Sequence, residues 1–142
     1  MSVQPFPVGP FRIPRAVWEA MLAHVRAAYP REGCGLLAGR DGEICRWFPG
    51  TNVHPEPLVR YRMDDRELLT AFREMERNGW DLLAIFHSHP QGPAYPSPTD
   101  IAQAYYPGSL YLICSLARPE APELRGFWIV DGQVREHPVE VI

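Results

Sequence analysis

Leu82-Leu83-Ala84-Ile85-Phe86 is an unbroken apolar run that leads directly into His87-Ser88-His89-Pro90. A run of that length with no polar break suits a strand covered on both faces. Such a strand needs a layer on either side, so the run commits the chain to a sheet packed between helices. It also decides where two histidines go. At i and i+2 of an extended segment, side chains point to the same side. His87 and His89 can therefore chelate one ion without distorting the backbone. They are expected just past the end of the strand, where open α/β sheets place their sites.

The flanking sequence supplies the layers. Val17, Met21 and Val25 recur every four residues with Trp18 and Leu22 beside them, so Pro14 to Ala28 reads as a helix, ended by Tyr29-Pro30. Pro14 suits the first turn, where its missing N–H does no harm. Gly35 to Gly39 and Ile44 to Phe48 read as strands joined by an Asp41-Gly42 turn. A loop over 49–57 holds Asn52 and His54, and a short extended segment is expected near Val59 to Met63. Asp64 opens a second helix with Glu67 as its capping partner, Leu68, Phe72 and Met75 as its stripe and Gly79 as its stop. Ser97-Pro98-Thr99-Asp100 starts a short third helix. Leu110 to Leu116, Gly126 to Val130 and Gln133 to His137 are further strands, the last two joined at Asp131-Gly132. The order predicts an α/β or α+β fold: an N-terminal extended arm over 1–11 and one domain over 12–142.

Bulk properties exclude several functions. With 142 residues, one core is expected. The net charge is −3 and all basic residues are arginine, without a cluster, which argues against nucleic acid or an anionic membrane as partner. No apolar run approaches the ~20 residues of a membrane span. The N-terminus lacks the charged start and apolar stretch of a secretory signal. Cys34, Cys45 and Cys114 have neither an even count nor C-x-x-C spacing, so a cytoplasmic protein is expected. Cys34, Cys114, Trp47, Trp80 and Trp128 read as core residues. His24 and His137 carry no assigned role. The sequence leaves the oligomeric state open.

Two imidazoles and a carboxylate make a normal zinc set, and Asp100 follows His89 after ten intervening residues, a loop long enough to bring it back. Three protein ligands leave a fourth position for water, as in catalytic rather than structural zinc sites. Each residue taken alone has an ordinary explanation too. An H-x-H pair is a weak signal. Ser97 as N-cap, Pro98 at the first position and Asp100 at the third make a capping box. Asn52 and His54 suit any polar turn, Ser88 can satisfy local backbone, and Glu32 can be an exposed acid after a helix.

Together the residues resemble the JAMM (MPN+) metalloprotease family, in its compact stand-alone prokaryotic form. The family pattern is an upstream Glu, then H-x-H, ten residues and Asp, with Ser three before the Asp. Here it is met by Glu32, His87, His89, Ser97 and Asp100, and Pro30 to Leu37 is similar to the family's entry into its first strand. The likeness runs over about 12–139. It implies a cytidine-deaminase-like fold, a mixed curved β-sheet with helices on its faces. It implies one Zn2+ per chain on His87, His89 and Asp100. Glu32 would be the general base and acid, and Ser97 the oxyanion donor. The implied reaction is hydrolysis of a peptide or isopeptide bond at the C-terminal Gly-Gly tail of a ubiquitin-like sulfur-carrier protein, with the tail paired to a sheet edge beside the zinc. Trimming, cysteine release and deconjugation all fit. Alternatives are a non-catalytic MPN-type scaffold and a small-molecule amidase using the same zinc. A nucleobase deaminase would need H-x-E and P-C-x-x-C, and neither is present.

Overall fold

The computed structural model describes residues 9–142. Its elements are β1 (Phe11–Ile13), α1 (Arg15–Ala28), β2 (Cys34–Arg40), β3 (Glu43–Gly50), α2 (Asp65–Asn78), β4 (Asp81–His89), α3 (Pro98–Ala102), β5 (Leu110–Ser115), β6 (Glu123–Val130), β7 (Gln133–His137) and β8 (Val139–Val141). Among the described residues, six strands form one mixed sheet in the order β3-β2-β4-β5-β6-β7, in which only β4 and β5 run parallel. The expected mixed sheet with helices on its faces is therefore present. The connection from β4 to β5 carries α3, as a parallel pair requires a crossover.

Each face of the sheet has its own apolar cluster. Met21 and Val25 of α1 pack with Leu37, Phe86 and Leu112 on one face. Ala71 and Met75 of α2 pack with Leu36, Ile85, Ile113 and Phe127 on the other. Burying a large apolar side chain is worth about 1.5–3 kcal/mol, so both helices are held chiefly by these contacts. Because neighbours along a strand alternate, Ile85 and then His87 and His89 face the α2 side.

The differences from expectation are local. β4 is nine residues long and includes both histidines, which pair with Ile113 and Ser115 of β5. They are thus the last residues of the strand and not an extension beyond it. Of the extended segment expected near Val59–Met63, Val59 ends a turn, residues 60–62 have no regular structure, and Met63 makes a bridge to Asn52. The Asn52 side chain takes the Arg60 carbonyl and the Arg62 N–H, groups that a strand would offer to a ladder. Of the arm expected over 1–11, residues 1–8 lie outside the described residues, whereas Phe11 is buried and opens β1. That strand pairs in parallel with β8, which the sequence pattern did not reveal. Asp64 caps α2 as expected, accepting from the N–H groups of Arg66 and Glu67. Glu67, however, turns away from the cap and accepts from the N–H and hydroxyl of Thr51 instead.

Candidate functional site

The five residues of the sequence pattern come from three places in the chain, and strand register explains how they meet. β2 opposes β4 with Cys34 beside His87. One residue further out, Ser88 N–H donates to the Gly33 carbonyl at 3.0 Å and the Ser88 hydroxyl accepts from the Gly33 N–H at 2.8 Å. A side-chain period of two then carries Glu32 onto the same face as Cys34, His87 and His89. Ser88 is thus a cross-strand tie and does more than satisfy its own local backbone. From the other side, α3 begins with the expected capping box. Ser97 Oγ accepts from Asp100 N–H at 3.0 Å, and Asp100 Oδ2 accepts from Ser97 N–H at 2.9 Å. In that role Ser97 uses only lone pairs, so its hydroxyl proton stays available.

The same Asp100 oxygen reaches the histidines. Asp100 Oδ2 lies 3.2 Å from His87 Nε2 and 2.9 Å from His89 Nε2, and the two Nε2 atoms are 3.1 Å apart. A carboxylate oxygen of Glu32 and a ring nitrogen of each histidine fall within 4.8 Å of one another. Glu32, His87 and His89 are all buried, at 4%, 1% and 7% exposure.

Proton arithmetic tests whether this group suits a cation. His89 Nδ1 stands 2.8 Å from the Pro93 carbonyl, which can only accept, so Nδ1 carries the proton. In the neutral ring Nε2 is then a bare lone pair facing the Asp100 carboxylate. Two lone pairs at 2.9 Å repel unless a proton or a metal ion stands between them. A histidine whose far nitrogen donates to a carbonyl is the usual orientation of a metal ligand. The three edges also suit a small ion. Bonds of about 2.0–2.2 Å in tetrahedral geometry put ligand atoms about 3.3–3.6 Å apart, so the observed edges of 2.9–3.2 Å would open by roughly 0.1–0.7 Å around an ion.

The two carboxylates have opposite electrostatics. Burial works against the charge on Asp100, but hydrogen bonds from His87 and His89 outweigh it and hold the group well below the usual carboxylate range. Glu32 has no such partners, and its Oε1 accepts no hydrogen bond from any described residue. Burial pushes its pKa up to about 7, with His89 lowering it and Asp100 raising it. Carboxylates driven apart in this way divide into a fixed anion and a proton carrier. Burial lowers the pKa of His87. For His89 burial also acts downward, but Asp100 and the Pro93 carbonyl raise it overall.

The surroundings hold the group rigidly. Ser115 Oγ donates to the Gly92 carbonyl at 2.6 Å, and Leu116 N–H donates to the His89 carbonyl at 3.0 Å, so β5 pins the loop after His89. Asn52, which sequence pattern could not separate from a turn residue, is a hub. Its Nδ2 donates to the carbonyls of Glu32 (3.0 Å) and Arg60 (2.9 Å), and its Oδ1 accepts from the N–H groups of His54 and Arg62. His54 N–H thus answers to Asn52, while its own side chain lines a cleft of about 370 Å³ with Arg60, Tyr61, His87, Asp100 and Tyr105. Tyr61, missed by the sequence reading, stacks on His87. β4 is flanked by β2 and β5, and among the described residues β3 and β7 are the outer strands of the six-stranded sheet. Cys34 and Cys114 are buried core residues, and burial raises both thiol pKa values to about 12. His24 bonds to the carbonyls of Cys34 and Gly50, and His137 accepts from the indole N–H of Trp128.

Comparison with known proteins gives these residues their context. Residues 14–130 match the family model of prokaryotic homologs of the JAB domain. A "probable TtuB-protein conjugate cleaving protease" of Thermus thermophilus is 51% identical over 92 residues, 65% of this chain and 62% of that relative, so the chain covers less than two thirds of it. A CysO-cysteine peptidase of Mycobacterium tuberculosis is 42% identical over 125 residues, 87% of this chain and 85% of the relative. Among solved structures, a protein from Desulfitobacterium hafniense superposes with a TM-score of 0.82 at 42% identity, covering 92% of each chain.

Proposed function

The chain belongs to the prokaryotic homologs of the JAB domain, and from that membership we propose that it is a zinc peptidase acting on the C-terminal Gly-Gly tail of a ubiquitin-like sulfur-carrier protein. The observation that carries this reading is the meeting of His87 Nε2, His89 Nε2 and Asp100 Oδ2 beside a buried Glu32 whose Oε1 has no hydrogen-bond partner among the described residues. The relatives named for cleaving a TtuB-protein conjugate and for a CysO-cysteine substrate support the substrate class.

His87, His89 and Asp100 would hold one zinc ion per chain. Bound there, the ion supplies Lewis-acid polarisation of the scissile carbonyl and of the attacking water. Glu32 takes a proton from that water as its oxygen bonds to the carbonyl carbon. The Ser97 hydroxyl donates to the oxygen on which negative charge grows. As the C–N bond breaks, Glu32 passes its proton to the departing amine, leaving a carboxylate on the carrier and a free amine on the product. Glu32 suits both steps because a carboxyl near neutrality can accept and return a proton at little cost. No helix among the described residues is long and apolar enough to cross a membrane, and the three free cysteines suit the cytoplasm.

The test measures zinc content and then turnover of a Gly-Gly-tailed carrier bearing a C-terminal extension. One zinc per chain and release of the extension are expected. Glu32→Ala is expected to keep the metal and lose about 10²–10⁴ in kcat. Substoichiometric zinc in the wild type would favour the non-catalytic scaffold. Cleavage of simple amides with the carrier untouched would favour the small-molecule amidase.

A further inference from the structure

The two candidate histidine ligands are not held in the same way. His89 is fixed by its Nδ1–H bond to the Pro93 carbonyl. His87 Nδ1 is buried and has no hydrogen-bond partner among the described residues. A ligating histidine ordinarily donates from its far nitrogen, and that bond sets the ring's rotation. His87 must be oriented by something else. The face of its ring is covered by Tyr61, with centroids 4.4 Å apart and planes 22° from parallel, a stacked arrangement. Tyr61 is in turn fixed through its backbone. The carbonyl of Arg60, just before it, accepts from Asn52 Nδ2, and the N–H of Arg62, just after it, donates to Asn52 Oδ1. The same Nδ2 holds the Glu32 carbonyl. One amide therefore ties the Glu32 backbone to the aromatic plate behind His87.

We infer that Tyr61 is a positioning residue that orients His87 by stacking, in place of the missing hydrogen bond, and that Asn52 sets the plate in register with Glu32. The inference rests on His87 being a metal ligand, as proposed above. The ring and not the hydroxyl matters, because the Tyr61 hydroxyl has no hydrogen-bond partner among the described residues. Removing the ring leaves His87 free to rotate about its side-chain torsions, so an ion must order the ligand as it binds. Losses of this kind in the groups behind a ligand amount to about 10–100-fold in metal affinity.

The experiment is zinc affinity, measured by competition with a chromophoric chelator, for the wild type, Tyr61→Phe and Tyr61→Leu, with the urea midpoint recorded for each. Phe is expected to bind within about twofold of the wild type, and Leu to bind about tenfold or more weakly while remaining folded. Leu binding as tightly as the wild type overturns the inference and leaves the ligand assignment standing. Phe falling as far as Leu overturns it in favour of the hydroxyl. A wild type that binds no zinc overturns the ligand assignment and the inference with it. Independently of any variant, the ring protons of His87 in the wild type should resonate upfield, in the shielding zone of the stacked ring. Unshifted resonances overturn the stacking.

Discussion

At the scale of single residues, the site depends on two carboxyls of similar chemistry placed in different surroundings. Asp100 is surrounded by donors, whereas Glu32 is buried with one oxygen unpartnered. Glu32 therefore opposes folding whenever it is ionised. Its native pKa, about 7 against an ordinary 4.5, means that the folded protein binds more protons than the unfolded chain between those values. Stability of the metal-free protein should then fall as pH rises from about 4.5 to 7 and level off above. Glu32→Gln removes this dependence. In chelator-treated protein the variant should be more stable than the wild type at pH 8, by roughly 1–3 kcal/mol, and nearly equal to it at pH 4.5. Urea unfolding at the two pH values checks both. The same variant should have lost its turnover, so stability gained and activity lost share one cause.

At the scale of elements, close backbone approach governs how β2 enters the site. A Cβ on Gly35 would stand 2.2 Å from Trp47 Cη2 and 2.6 Å from the Phe48 carbonyl oxygen, and backbone cannot yield as a flexible side chain can. Gly35→Ala should cost about 1–3 kcal/mol and displace Glu32, three residues upstream, lowering kcat as well as the thermal midpoint. The helices and the six strands of the main sheet were legible in the sequence because each has a strong period or a terminal residue with a single job. The run from Leu82 to Phe86, Asp64 and Gly79 around α2, and Ser97 before α3 are of this kind. The tertiary ties were not legible. Nothing in a local window distinguishes an Asn in a turn from Asn52, whose partners lie 2 to 20 residues away. Tyr61 is one aromatic residue with no periodic neighbours. β1 and β8 are three residues each and find one another across nearly the whole chain. The five residues of the candidate site stood out only as a constellation, and strand register is what shows why Glu32 can stand with the histidines.

At the scale of the whole molecule, two apolar clusters on opposite faces of one sheet account for the protection of two of the three thiols. Cys34 lies in the α2-side cluster and Cys114 in the α1-side cluster, while Cys45 is exposed on β3. In the native protein a thiol-specific reagent at pH 8 should modify Cys45 within minutes and the other two only as the fold opens. Labelling resolved by peptide mass, with and without denaturant, checks this, and rapid labelling of Cys34 in native protein would contradict the packing described for β2. If the chain cleaves tails as proposed, the depth of the centre limits what else it could cut. Glu32, His87 and His89 are buried, and His87, near the end of an interior strand, lines a cleft with His54, Arg60 and Tyr61 from one side and Thr99 and Asp100 from the other. A helix or a sheet on another protein's surface is too thick to be lowered there, whereas a loose, nearly side-chain-free tail is not. On that reading, neighbouring folded proteins and this chain's own surface loops would be spared by shape before any sequence is read.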